Sequence, residues 1–94
     1  MNEIELTSRA TRDLKNLNPQ DRTRLKTAIA DTLGADPAPD NADVKALTGA
    51  APWRRLRIGE WRVLYRPCTD DEPGDVLVAR VVNRRDLGRA VSSL

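Results

Sequence analysis

Arginine is the side chain most able to do chemistry in this sequence, and residues 53–66, WRRLRIGEWRVLYR, give its spacing a meaning. Gly59-Glu60 separates two alternating runs, and Gly at the first central position suits a two-residue II′ hairpin turn. With that turn, Ile58 lies opposite Trp61, Arg57 opposite Arg62, Leu56 opposite Val63 and Arg55 opposite Leu64. Opposed residues share a face. One face then carries Leu56, Ile58, Trp61, Val63 and Tyr65, with Arg54 as the exception. The other carries Trp53, Arg55, Arg57, Arg62, Leu64 and Arg66. Like charges directly opposed destabilise a sheet, and such departures collect where function demands them. The demand that fits is a polyanion, because the guanidinium fork binds phosphate at two points and stacks on bases.

The chain has 94 residues, which predicts one domain spanning residues 1–94 around a single modest core. Its net charge of +2 says little; the distribution says more. Of the 13 arginines, nine lie from Arg54 onward, and none of the three lysines does. A coding bias toward arginine accounts for the ratio of the two residues, but not for their gathering on one face.

Histidine is absent, which removes the commonest general acid/base and the commonest zinc ligand. The single cysteine, Cys68, sits in a loop beside Pro67 and has no disulfide partner, so a reducing cytoplasmic setting is expected. No apolar run approaches the roughly 18 residues of a membrane span, and no signal-peptide pattern is present. The reading is a soluble cytoplasmic protein with no cofactor and no metal.

The elements that must position the arginines read clearly. Residues 3–6 alternate as a short strand. Thr7 or Ser8 can cap a helix to about residue 17, with Ala10, Leu14 and Leu17 on one face. Asn18-Pro19 restarts a second helix, with Asp21 in its first turn, Leu25, Ile29 and Leu33 on one face, and Gly34 closing it. The outward charges of this helical hairpin (Arg9, Arg12, Lys15, Arg22, Arg24, Lys26) read as a solvated surface. Residues 35–43 form a Pro/Asp-rich loop, and 44–49 lead into the β-hairpin. Residues 75–83 form a central strand covered on both faces. There Leu77, Ala79 and Val81 are expected against the helices and Arg80 on the arginine face. A short helix or tail follows. The fold class is α+β: two layers, with an N-terminal strand and helical hairpin packed on a mainly antiparallel sheet in the order β-α-α-β-β-β.

This order, together with VKALTG, GEWRVLY and VVNRRDLGRA at their intervals, resembles the RelE/ParE superfamily of type II toxin–antitoxin toxins over nearly the whole chain. The resemblance implies a toxin neutralised by a cognate antitoxin that wraps the helical hairpin and the arginine groove in a hetero-oligomer. RelE-like members cleave messenger RNA on the ribosome, whereas ParE-like members poison DNA gyrase on a similar scaffold. Arginines on the sheet favour the first branch; an inactive RNA-binding relative is the remaining alternative. The resemblance makes Arg62 and Arg85 the catalytic arginines, and points to Arg55, Arg57, Arg66, Arg84 and Trp53 for RNA binding. The family's histidine and tyrosine positions hold Asn83 and Gly88 here, with Val91 the other alignment for the tyrosine.

Attack of a 2′-hydroxyl on its own phosphate needs a base, positive charge on the phosphorane, and an acid for the leaving oxygen. Arginine supplies the second well and the others poorly, because its pKa stays above ~12. Candidates for proton transfer are Glu60 in the turn, Asp86 beside Arg85, and Asp43 or Lys45 in the approach loop. Tyr65 is expected in the core, as is Trp61. Trp53 either stacks on a base or packs beneath an arginine.

Overall fold

A computed structural model describes residues 1–94. The first strand, β1 (Ile4–Leu6), runs into Thr7, whose hydroxyl accepts from the Ala10 N–H at 3.1 Å and starts α1 (Ser8–Lys15). Asn18 caps α2 (Pro19–Thr32) in the same manner, accepting from the Asp21 N–H at 2.8 Å. The join between the helices is tied by Arg22, which donates to the carbonyls of Leu14, Lys15 and Leu17 at 3.1, 3.1 and 2.9 Å. That is a structural task for a side chain expected on the solvated surface. At the far end of α2, Gly34 is required for space. A Cβ there would lie 2.4 Å from the Ala30 carbonyl oxygen.

Four more strands complete a five-stranded sheet: β2 (Val44–Ala46), β3 (Arg54–Ile58), β4 (Trp61–Pro67) and β5 (Val76–Asn83). Their order is β1-β5-β4-β3-β2, with β1 parallel to β5 and every other pair antiparallel. The β3–β4 register is the expected one, with Ile58 opposite Trp61 and Arg57 opposite Arg62. Gly59 has φ +57°, and no non-glycine residue has positive φ, which is the pattern of a II′ turn.

Three expectations need correction. The segment beginning at Val44 is a strand rather than a plain approach, with Val44 opposite Leu56 and Lys45 opposite Arg55. Its three residues after a Pro/Asp-rich loop are too few to show a period. The second correction concerns β5, which carries a bulge. Leu64 faces Arg80 but Tyr65 faces Val78, so Ala79 is the extra residue and the phase of the strand flips there. Val78 and Val81 therefore join the helix-side core, while Leu77 moves to the other face, opposite Arg66. The third concerns Arg80, whose guanidinium pairs with Asp13 of α1 rather than entering the arginine array.

The main core, between helices and sheet, includes Leu14, Leu25, Ile29, Leu56, Val63, Tyr65, Val78 and Val81. Leu25, Leu56, Leu64, Val63 and Val78 are the largest fully buried side chains, each contributing roughly 1.5–3 kcal/mol. A second cluster lies on the opposite face, where Leu64, Val82 and Ala90 pack with Leu47, Leu87 and Val91. It exists because β5 leads through a 3-10 turn (Arg84–Asp86) into α3 (Leu87–Ser92), which folds back over that face. The arginine face is thus bounded on one side by a helix.

Because β1 covers only Val76–Val78 of β5, the remaining edge of β5 needs other partners. Thr7 supplies two, donating its N–H to the Val78 carbonyl (3.0 Å) and its hydroxyl to the Ala79 carbonyl (2.8 Å). Asp13 supplies a third, accepting from the Val81 N–H at 2.9 Å.

Candidate anion-binding site on the outer sheet face

Strand register places the outer-face side chains in rows across the sheet. Arg57 lies opposite Arg62, and Arg62 opposite Val82. The Arg57 N–H donates to the Asp43 carbonyl at 2.9 Å, which extends the β2–β3 ladder and brings Asp43 into the same row. The next row is Lys45, Arg55, Leu64 and Arg80. In the third, Trp53 lies near Arg66, and Arg66 faces Leu77. Arg55, Arg57, Arg62 and Arg66, and also Lys45 and Asp43, therefore share one surface.

Each arginine is held differently. Arg55 Nη1 donates to both the carbonyl and the Oδ1 of Asp43 at 3.0 Å. Arg57 lies 3.8 Å from Asp43 Oδ2 and is largely exposed. The Asp43 carboxyl is held below its usual range by the Arg55 hydrogen bond, which outweighs an opposing desolvation; the charges of Arg55, Arg57 and Arg62 act in the same direction as that bond. Arg62 folds toward the turn, donating to the carbonyls of Gly59 and Trp61 at 2.9 and 3.0 Å. Its pKa is lowered, first by desolvation and then by the neighbouring Arg57 and Arg55. A positive charge there is less favoured than on a free arginine. Arg66 is locked more firmly: it meets Glu72 at 2.6 and 3.0 Å and lies over the Trp53 ring at 5.4 Å. Of the two expectations for Trp53, the structure shows packing beneath an arginine.

The segment after β5 joins the same end of the sheet. The Arg84 N–H donates to the Glu60 carbonyl, and Arg84 Nε meets Glu60 Oε2, both at 2.8 Å. Asn83 spends its side chain accepting the Arg85 N–H at 3.2 Å. Arg85 is exposed and belongs to none of the chain's ion pairs. It lines a groove of about 470 Å³ with Arg9, Asp13, Trp61, Asp86 and Arg89. That groove lies between α1, the edge of β5 and α3, and Arg62 does not line it. The two arginines expected to act together thus occupy the same end of the sheet on different surfaces.

Among the proton-transfer candidates, Glu60 and Asp43 lie within the array, and Lys45 faces Arg55 across the ladder. Asp86 is turned toward Arg89 at 3.5 Å. Tyr65 is buried in the main core, where desolvation raises its pKa. Gly88 offers no side chain, and Val91 packs in the outer cluster. No three His, Cys, Asp or Glu side chains are grouped to hold a metal ion. No helix is long and apolar enough to cross a membrane.

Arg24 was missed by sequence reasoning. Its guanidinium reaches the β3–β4 turn from α2, lying 3.1 Å from where a Cβ on Gly59 would be. On the helix it reads as one solvated charge among several, and no local signal marks its approach.

Comparison with known proteins agrees with this architecture. A family model described as the ParE toxin of type II toxin–antitoxin systems, parDE, matches residues 4–88. A Methanocaldococcus jannaschii protein, provisionally named toxin RelE1, is 34% identical over 84 residues, covering 88% of this chain and 89% of its own. Among solved structures, the toxin in the RelBE2 toxin–antitoxin complex of Mycobacterium tuberculosis is 30% identical, with a TM-score of 0.64 over 88% of this chain and 98% of that one. The RelB–RelE complex from Methanococcus jannaschii superposes with a TM-score of 0.67 at 20% identity, over 90% of this chain and 95% of that one. The archaeal RelE–RelB complex from Pyrococcus horikoshii gives 0.65 at 22%, over 87% and 93%. The shared scaffold is that of the RelE/ParE toxin superfamily. Within it, this chain belongs to the family described as ParE toxins of type II toxin–antitoxin systems.

Proposed function

We propose that this toxin acts on RNA, as an endoribonuclease that cuts messenger RNA engaged on the ribosome. The observation that carries the reading is the cross-strand pair Arg57–Arg62, two like charges directly opposed in the ladder, an arrangement that destabilises a sheet. An anionic strand crossing that row offsets the repulsion and its charge compensates for the desolvation of Arg62.

In the proposed reaction the 2′-oxygen attacks the adjacent phosphorus and the P–O5′ bond breaks. The products are a 2′,3′-cyclic phosphate and a free 5′-hydroxyl. Arg62 stabilises the charge on the phosphorane and Arg85, in the neighbouring groove, grips the strand further along, while Arg55, Arg57, Arg66, Arg84 and Trp53 hold the strand across the sheet. The Glu60 carboxylate, in the turn beside Arg84, accepts the 2′-hydroxyl proton; water protonates the leaving oxygen, and the hydroxide left behind takes the proton back from Glu60. With no histidine present, much of the rate comes from the geometry in which the ribosome holds the message.

By likeness to the toxin–antitoxin complexes, this chain binds a cognate antitoxin, and the surfaces we propose for it are the helical hairpin and the arginine face. An apolar helix carrying acidic residues complements both surfaces.

A second reading, a ParE-like toxin that binds DNA gyrase without nuclease chemistry, has its own support. Asn83 is spent on a cap, Gly88 has no side chain, and Arg55, Arg66 and Arg84 already hold carboxylates. Mapping transcript 5′ ends after brief induction separates the two. In-frame cuts within translated codons, lost in Arg62→Ala/Arg85→Ala, support the nuclease. Intact transcripts with blocked supercoiling support gyrase. Toxicity that survives the double substitution ends the nuclease reading.

A further inference from the structure

Asp43 stands in the same row as Arg57 and Arg62 and touches two arginines at once. Its Oδ1 lies 3.0 Å from Arg55 Nη1 and its Oδ2 lies 3.8 Å from Arg57 Nη1. One carboxylate, with an oxygen toward each guanidinium, thus takes the position that two non-bridging oxygens of a phosphate would take. We propose that Asp43 is a resident competitor for a phosphate subsite between Arg55 and Arg57, and that it sets the affinity and salt dependence of RNA binding. The inference rests on the RNA reading above and names a specificity residue within it.

Comparison with Glu72 shows why Asp43 can yield. Glu72 holds Arg66 through two short bonds and also accepts the Thr69 N–H at 2.8 Å, so loop and arginine form one locked unit. The Asp43 carboxylate has no backbone donor. Its contact with Arg57 is beyond hydrogen-bond length, and its side chain is half exposed. The backbone of Asp43 is anchored separately, its carbonyl accepting from the Arg57 N–H at 2.9 Å and from Arg55 Nη1 at 3.0 Å. The carboxylate can therefore swing away while the strand remains in place. A carboxylate whose ionised form is favoured by the Arg55 hydrogen bond is also a poorer proton acceptor than a free one. Competition for anions is the better use of Asp43.

The test is fluorescence anisotropy with a dye-labelled single-stranded RNA oligonucleotide of mixed sequence, over a series of salt concentrations. Wild type is compared with Asp43→Asn, which keeps the shape and the backbone anchors, and with Asp43→Ser in case the amide pairs anew. Thermal melts confirm the fold of each. Asp43→Asn should bind roughly three- to tenfold tighter at low salt, and the slope of log K against log salt should steepen by about 0.7, one single-strand phosphate. The gain should vanish in an Arg55→Ala/Arg57→Ala background. Unchanged or weaker binding by both Asp43 variants, with wild type binding, overturns this inference alone. So does a gain that persists without the two arginines. Wild type that binds no RNA at the lowest salt overturns the RNA reading itself.

Discussion

The Asp13 carboxylate and the Arg80 guanidinium meet at 2.9 and 3.2 Å, although 67 residues separate them in the chain. The same carboxylate accepts the Val81 N–H, so one side chain of α1 closes the edge of β5 that β1 leaves open. Both partners are less than a fifth exposed. Arg80 is raised above its ordinary pKa, chiefly by the hydrogen bond it donates to Asp13. The pair binds helix to sheet and withdraws Arg80 from the anion-binding face.

Asp13→Ala leaves a half-buried guanidinium and an edge N–H without partners. The expected loss is about 2–4 kcal/mol, with a fall in Tm on the order of 10 °C or more. Asp13→Leu combined with Arg80→Met should lose less than Asp13→Ala alone, because no charge is stranded. A melt of Asp13→Ala within a degree or two of wild type would show that the pair is ornamental.

Gly59→Ala tests the turn. At φ +57° a Cβ is strained, and it would also meet Arg24 Nη2 at 3.1 Å. The arginine tip can move, so the backbone term dominates, at about 1–2 kcal/mol. Urea denaturation should show this as a lower midpoint with unchanged slope. No loss of stability would mean that the turn relaxes to another type.

Acid stability should report Glu72. Its pKa falls from 4.5 to about 2, first through the hydrogen bond from Arg66 and then through the Thr69 N–H. Because the folded chain holds the ionised form more tightly than the unfolded chain does, the contribution is complete above about pH 4.5 and disappears as pH falls toward about 2. Denaturation midpoints of Glu72→Gln should be lower near neutrality and should converge on wild type across that window. Parallel curves for the two proteins would remove Glu72 from the account.

Arg62 offers a test of charge against shape. Under the nuclease reading proposed above, on ribosome complexes programmed with a short message, Arg62→Ala should slow single-turnover cleavage by on the order of 10²–10³. Arg62→Lys keeps the charge but loses the fork, and should recover only part of the rate. Full recovery by lysine would mean that the site needs a point charge alone.

What the sequence discloses here follows the range of each interaction. The β3–β4 register was legible because Gly59 specifies the turn and the alternation on either side specifies the faces. Both helix starts were legible because Thr7 and Asn18 act on backbone groups three residues away. The bulge at Ala79 was not, since an inserted residue in an apolar strand changes no local pattern, and its shift of phase displaced Leu77 and Val78. Nor were the partners of the arginines. Arg55 finds Asp43 12 residues away and Arg80 finds Asp13 at 67, distances over which charge spacing carries no signal. The shared arginine surface was therefore visible in advance, whereas the carboxylates that temper it and the separate groove holding Arg85 were not.

The parallel pairing of β1 with β5 has a consequence for how the molecule comes into being. Glu3 is bonded to Asp75, 72 positions later, so the first strand has no partner until the last strand exists. Closure of the sheet depends on the least local contacts in the chain, which are the slowest to form. During synthesis the α-hairpin can assemble early, but the row of arginines next to β5 cannot be supported from behind until Val76–Asn83 has left the ribosome. The arginine surface is consequently among the last parts of the sheet to be assembled.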